Sequence, residues 1–151
     1  MTSQLKVDRI SPATGSEIII DGFEPSGGGG VIQVKSYSAS INFSGTGNTS
    51  LSVAMTPSSA SNKILILATL SKTSSSTTGD GSPAFYGFKR NGTDLGWYAM
   101  MYKSGSRDAG HALSYLDSPS STSEVTYLVH ASGGLILNNS KSTITVMEIK
   151  E

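Results

Sequence analysis

Apolar residues that alternate with polar ones are the feature that most restricts how this chain can fold. In the stretch 50–55, for example, Leu51, Val53 and Met55 fall on one side of an extended strand. We find no window with the apolar spacing of three and four residues that an amphipathic helix needs. Serine, threonine and glycine fill the gaps between the apolar groups, as is typical of turns between strands. The pattern therefore predicts an all-β fold, an antiparallel β-sandwich.

Strands are predicted wherever such an apolar group is bounded by turn residues. Besides 50–55, the predicted strands are 5–10, 17–21, 31–37, 63–70, 84–89, 95–101, 109–116, 124–130, 135–137 and 143–150. The best hairpin signal is Asn91-Gly92, because both residues tolerate the positive φ angles of a two-residue type I′ turn. We therefore expect a hairpin that joins the strands on either side of this pair.

The segment KILILATL, residues 63–70, is apolar on both faces of its predicted strand. Ile64 and Ile66 point one way, and Leu65 and Leu67 point the other. A strand of this kind is buried on both sides, whereas each sheet of an isolated sandwich has one wet side. A second copy of the chain is the economical cover, which makes these four residues candidates for a subunit interface. A covering loop of the same chain is the alternative.

The segment TITVMEI, residues 143–149, also carries apolar residues on both faces of its predicted strand. Ile144 and Val146 lie opposite Met147 and Ile149. Here a β-bulge is an alternative explanation, because the extra residue of a bulge interrupts the regular alternation. The segment therefore supports a covered outer face less directly than KILILATL does.

A run of four glycines after the stretch EPS divides the chain. The preceding part contains two short strands and too little apolar surface to fold alone. A linker rich in glycine and serine is flexible, so we interpret the run as a joint. The predicted parts are an attachment segment at 1–23, a linker at 24–30 and a β-sandwich module at 31–151. The anchoring residues of the first part are Leu5, Val7, Ile10, Ile18, Ile19 and Ile20, and the hinge residues are Gly27, Gly28, Gly29 and Gly30.

Motifs for common chemistry are absent from the sequence. A phosphate-binding loop needs lysine and then serine or threonine after its last glycine, but Val31 and Ile32 follow here. The two histidines, His111 and His130, are not at a metal-ligand spacing, there is no cysteine, and no GxSxG motif occurs. A trimer could still bring three copies of one histidine around its axis. We expect no catalytic residues, no metal and no cofactor.

Charge and hydropathy exclude two classes of partner. The formal net charge is zero and no basic patch stands out, which argues against nucleic acid. The first residues lack the apolar run of a signal peptide, and no segment is apolar enough for membrane insertion. The absence of cysteine fits a reducing cytosol.

The segment LGWYAMMYKSGSRDAGH, residues 95–111, concentrates side chains that bind partners. Tryptophan, tyrosine and arginine are enriched where proteins contact other proteins, and aromatic faces also suit sugar rings. Because neighbouring strand residues alternate, one of the adjacent aromatic residues should fill the core. The candidate receptor contacts are Trp97, Tyr98, Tyr102, Lys103, Arg107 and His111.

Four stretches carry a resemblance to a known class of protein. They are VDRISPATGSEIIIDG followed by the glycine run and VIQVKSYSAS, then SLSVAMTPSSASNKILILATLS, HALSYLDSPSSTSEVTYLVH and the ending STITVMEIK. Together they resemble bacteriophage virion proteins, especially the tail-fibre-like proteins of marine phages of the cyanophage type. The resemblance implies a non-enzymatic virion component in which the N-terminus attaches to a larger tail or capsid protein. It also implies that the exposed module is a homotrimer of jelly-roll-like sandwiches.

Combined with the strand pattern, this resemblance sets the functional expectation. The chain is expected to be made in the host cytoplasm, released by lysis in the virion, and to contact a host cell-surface glycan or protein. A capsid-decorating or head-fibre protein is the first alternative. A host polysaccharide hydrolase module is the second, because carbohydrate-degrading modules also occur on β scaffolds.

Overall fold

A computed structural model describes residues 30–75, 84–101 and 109–151, and these residues form six β-strands and no helix. The strands are β1 (Val31–Met55), β2 (Lys63–Ser75), β3 (Ala84–Arg90), β4 (Thr93–Met101), β5 (Ala109–Asp117) and β6 (Val125–Ile149). The predicted all-β class is confirmed. The predicted strands 5–10 and 17–21, with the anchor residues on them, lie outside the described residues, as do Gly27, Gly28 and Gly29. Within the described ranges, no helix is long and apolar enough to cross a membrane.

β1 and β6 form one long antiparallel ribbon. Each strand has 25 residues, and their pairing runs from Val31 opposite Ile149 to Met55 opposite Val125. The strands predicted at 31–37 and 50–55 are therefore parts of one strand, and the last three predicted strands are parts of β6. The register shifts between Gly45 and Gly47, and such irregularities bend a strand and increase its twist.

The remaining strands divide the sheet into two halves. Residues 127–132 of β6 pair with β3, and β3 pairs with β4. Together with residues 47–55 of β1, these segments make up what we call the β3–β4 half. Residues 135–149 of β6 pair with β2, and β2 pairs with β5. Together with residues 31–45 of β1, these segments make up what we call the β2–β5 half. All these pairings are antiparallel and belong to one sheet.

Buried residues of both halves form one hydrophobic core, so the sheet curls around it. Its largest fully buried apolar side chains are Tyr86, Tyr127, Phe88, Leu51, Met55, Ile64, Ile66, Leu70 and Ile144. Fully burying one such side chain contributes about 1.5 to 3 kcal/mol. Ile64 and Ile66 belong to this core, so they are not available to a subunit interface. Only Leu65 and Leu67, which point to the other face, remain candidates for that role.

A polar cluster also joins the two halves. Asp117 of β5 is buried, and its two carboxylate oxygens accept hydrogen bonds from Arg90 Nη1 at 3.0 and 2.9 Å. The hydroxyl of Tyr127 donates to the same carboxylate at 2.7 Å. Burial raises the pKa of the Tyr127 hydroxyl, and the hydrogen bond and the charge of Asp117 raise it further. The cluster therefore satisfies a buried charge with one cation and one hydroxyl.

The hairpin predicted at Asn91-Gly92 is present between β3 and β4. Both residues have positive φ, 48° for Asn91 and 85° for Gly92, as a type I′ turn requires. Asn91 also fixes the turn to β6, because its Oδ1 accepts from Thr126 N at 2.8 Å and its own N–H donates to Thr126 O at 2.9 Å. The local signal was sufficient because both the turn and its flanking strands are close in sequence.

Candidate functional site

Trp97 forms the centre of the candidate site on the outer surface of the β3–β4 half. Its side chain is 48% exposed. One face of the indole lies against the ring of His130, with centroids 4.1 Å apart and an interplanar angle of 31°. Phe85 borders the indole with its ring at 6.0 Å. The indole therefore presents an aromatic surface to solvent, which we call the Trp97 platform.

Two glycines place the indole in this position. Trp97 pairs with Gly87, and a Cβ at Gly87 would collide with the carbonyl oxygen of Gly96 and lie 2.6 Å from His130 Nε2. Gly96 has a φ of 120°, a conformation that side chains rarely adopt. The β3–β4 register shifts on both sides of the Gly87–Trp97 pair, and bulges of this kind redirect side chains. The local backbone is thus specialised for the Trp97 platform.

His130 supports the platform from below as a neutral ring. It is 3% exposed, and its Nε2 has no hydrogen-bond partner among the described residues. Burial lowers the pKa of His130, and the charge of Lys89 acts in the same direction, while Asp94 and the Gly96 carbonyl oppose the shift. The imidazole is therefore uncharged near pH 7, which makes it a suitable apolar support for an indole.

Charged and polar groups surround the platform. The Asp94 side chain is 59% exposed, and its Oδ1 lies 3.4 Å from Lys89 Nζ and 3.5 Å from His130 Nε2. Asn48 is exposed and faces His130 across the β1–β6 pairing. One carboxylate and one ammonium group cancel, so the site carries no formal net charge. It offers hydrogen-bond acceptors and donors beside an apolar surface.

The structure brings together only part of the predicted receptor contacts. Trp97 is exposed, and Tyr98 follows it in β4. His111 packs instead against the core ring of Tyr86, with centroids 5.0 Å apart, and burial lowers the pKa of its imidazole. Tyr102, Lys103 and Arg107 lie outside the described residues.

Sequence reasoning missed the neighbours of Trp97, namely Phe85, Gly87, Asp94 and His130. The apolar residues 125, 127 and 129 alternate along one face of the strand, so His130 falls on the opposite, outer face. This alternation was the sequence signal that could have placed His130 beside an outer-surface site.

A second surface covers the outer face of the β2–β5 half. Leu65 lies opposite Leu116 on one side and Met147 on the other, and Met147 in turn lies opposite Val34. Leu116 is 49% exposed and Val34 is 54% exposed. We call this row the apolar face. Pairing of β6 with β2 is continuous from 143 to 149, so the apolar pattern of TITVMEI does not arise from a bulge in β6.

Glu148 is the most deeply buried carboxylate of the described residues, but its oxygens are occupied. They accept hydrogen bonds from Gln33 Nε2 at 2.6 Å, Asn62 Nδ2 at 2.7 Å and the N–H of Ser58 at 2.7 Å. Burial alone would raise the pKa of Glu148, but the bonds from Asn62, Gln33 and Ser58 outweigh it and lower the pKa to about 2. This carboxylate therefore joins the start of β1, the β1–β2 turn and the end of β6.

The described residues contain no group of three or more acidic or histidine side chains that could hold a metal ion. The site is thus an aromatic surface with a polar rim, and the apolar face lies on the other half of the sheet.

Neither a protein-family model nor a curated protein sequence matches this chain.

Proposed function

We propose that the chain is a non-enzymatic phage virion structural protein of the tail-fibre-like type. Residues 1–23 attach it to a larger tail or capsid protein, and the β module faces the host surface. The Trp97 platform is the observation that carries the proposal, because an indole held outward by two glycines and a buried histidine has no evident role in the core. Bulges and interior glycines of this kind accompany binding sites in β proteins. The protein is made in the host cytoplasm and leaves in the virion at lysis.

The pairing order of the strands supports the module type that we propose. One half has the order β1–β6–β2–β5 and the other has the order β1–β6–β3–β4, with β1 and β6 common to both. Two four-stranded halves linked in this way support our proposal that the module is a jelly-roll-like sandwich, a fold built from two such layers. In this arrangement one long ribbon supplies two strands to each sheet.

We further propose that three copies associate through the apolar face. Two exposed large apolar side chains, Val34 and Leu116, lie on this face beside Leu65 and Met147. Concentrated apolar surface of this kind marks association sites on soluble proteins. Another copy of the same chain can cover the apolar face without any other protein, and most soluble oligomers are homo-oligomers.

The association can be tested with Leu116→Asp, because Leu116 is exposed and its replacement leaves the core intact. We expect the unchanged chain to show three times the mass of one 15.7 kDa chain by light scattering, and the variant to show the mass of one. Ser50→Asp adds the same charge at an exposed position of the other half and should remain trimeric. A single-chain mass for the unchanged protein would refute the proposed assembly.

The attachment role can be tested in infected cells that express the chain from a plasmid. We expect the full chain to appear in purified phage particles, while the variant that lacks residues 1–23 stays folded but is absent from them. Immunogold labelling then locates the protein: label at the tail supports the fibre role, and many labels over the head favour the capsid-decorating alternative. Particles that contain the shortened variant at normal occupancy would contradict the attachment role.

A further inference from the structure

We propose that the Trp97 platform binds the face of a neutral pyranose ring. The inference rests on the proposed function and names the ligand class of its contact site. It combines the outward aromatic surface with the hydrogen-bonding groups of Asp94 and Lys89 beside it.

The size of the platform favours a sugar over a protein partner. With roughly 250 Å² for a whole tryptophan side chain, an exposure of 48% leaves about half of that area open. A specific protein interface buries about 800 Å² on each partner. The other large apolar side chains exposed in the described ranges belong to β1 and β5, so they do not extend the platform. The area is sufficient for one sugar ring.

The orientation of the indole matches the chemistry of a sugar face. His130 covers one side of the ring system, so the opposite side is directed to solvent. The π face of an indole is electron-rich and attracts the weakly positive C–H groups on one face of a pyranose. Because Gly87 and the buried His130 fix the indole beforehand, little conformational entropy is lost when the ligand binds.

The polar rim provides hydrogen bonds to the ring hydroxyls. The two oxygens of the exposed Asp94 carboxylate can accept from neighbouring hydroxyl groups, and the Lys89 ammonium group 3.4 Å away can donate. Their opposite charges cancel, and His130 is neutral near pH 7 because burial lowers its pKa. The Asp94 side chain is 59% exposed and that of Lys89 only 23%, so the carboxylate of a uronic or sialic acid would meet Asp94 first and be repelled, and a neutral sugar fits this rim better.

The single tryptophan of the chain allows a direct test. The purified full-length protein is titrated with the methyl glycosides of glucose, galactose and mannose up to about 100 mM, which suffices to detect millimolar binding. We expect at least one of them to change the emission of Trp97. Saturation-transfer NMR on the same sugar should show at least a tenfold weaker affinity for Trp97→Ala and an intermediate loss for Asp94→Asn. Tyr37→Ala, which removes an exposed aromatic side chain from the other half, should bind normally.

Several outcomes would overturn the inference. They are the absence of any response to the neutral glycosides, equal binding by Trp97→Ala, and a preference for methyl glucuronide over every neutral sugar. The particle experiments above remain independent of this result. A chain that incorporates into virions but binds no sugar refutes the ligand class alone, whereas sugar binding by a chain absent from virions refutes the virion role alone.

Discussion

Replacing Glu148 by alanine is expected to lower the free energy of unfolding by about 3 to 5 kcal/mol. Glu148 is fully buried, and its oxygens accept hydrogen bonds from Gln33, Asn62 and Ser58. Alanine would remove the charged acceptor of the buried Asn62 and of the less buried Gln33 and Ser58, and a hydrogen bond to a charged group contributes about 1.5 to 3 kcal/mol. Urea denaturation followed by circular dichroism measures the difference, and the oligomeric state of each variant is determined beforehand.

Glu124→Ala is the matched control for Glu148→Ala, because Glu124 is exposed just before β6. It should change the free energy of unfolding by less than about 0.5 kcal/mol. Similar effects of the two substitutions would show that the buried hydrogen bonds are not what stabilises this end of the ribbon.

The same carboxylate predicts a loss of stability in acid. The pKa of Glu148 is about 2 in the folded chain, below its ordinary value of 4.5, so its contribution is complete above 4.5 and is lost as the pH falls towards 2. Glu148→Gln cannot titrate and should lack this part of the pH dependence. Burial also lowers the pKa of His111 and His130, so their contribution is complete above 6.5 and decreases below it. Thermal unfolding recorded from pH 8 to pH 2 separates the two ranges, because only the lower one should disappear in Glu148→Gln.

Replacing Gly87 by alanine is the second change with a large expected effect, a loss of about 3 kcal/mol. The new methyl group would collide with the Gly96 carbonyl and with His130 Nε2, and neither the backbone nor a fully packed ring can move away cheaply. Because Trp97 pairs with Gly87 and lies on His130, the substitution should also displace the indole and shift its emission. Urea denaturation and Trp97 fluorescence measure the two effects on one sample.

Gly110→Ala provides the control for this substitution. Gly110 also lies in a strand, but an added Cβ would meet only the Leu70 carbonyl oxygen at 3.7 Å, which is ordinary contact. It should be nearly neutral in stability and should leave Trp97 emission unchanged. If Gly87→Ala were as mild as this control, the result would contradict the close contact of Gly87 with the Gly96 carbonyl and the His130 ring.

The strands could be predicted largely because their signals are local. Apolar groups bounded by turn residues placed at least part of every described strand, and Asn91-Gly92 supplied the hairpin together with its turn type. The continuity of β1 and β6 was not predicted, because serine, glycine and asparagine are frequent in their middle portions. Ala39, Ile41 and Phe43 of β1 do alternate and reach the core, which was an unused signal for part of it. Backbone pairing with the partner strand holds these portions, and that pairing is a long-range property.

The candidate site was predicted only through residue type. Trp97 was identified because tryptophan is common in binding surfaces. Gly87 and His130 gain their roles from the register of the β3–β4 hairpin with β6, which lies far along the chain. Glu148 illustrates a signal that was present but unused. It follows the inward-facing Ile144 and Val146 at the same spacing, so a buried carboxylate with several donors could have been inferred there.

The long ribbon has a consequence for how the protein is made. Among the described strands β1 pairs only with β6, so the first of them to be synthesised must wait for the last of them. Until β6 has been synthesised, the backbone groups of β1, including those of Val31 and Val34, lack the strand with which they pair in the folded module. Unpaired strands of this kind are prone to aggregation, and pairings between distant segments form slowly. Folding of this module can therefore be completed only after β6 has been synthesised, and its yield should depend on chaperones and on the rate at which new chains accumulate.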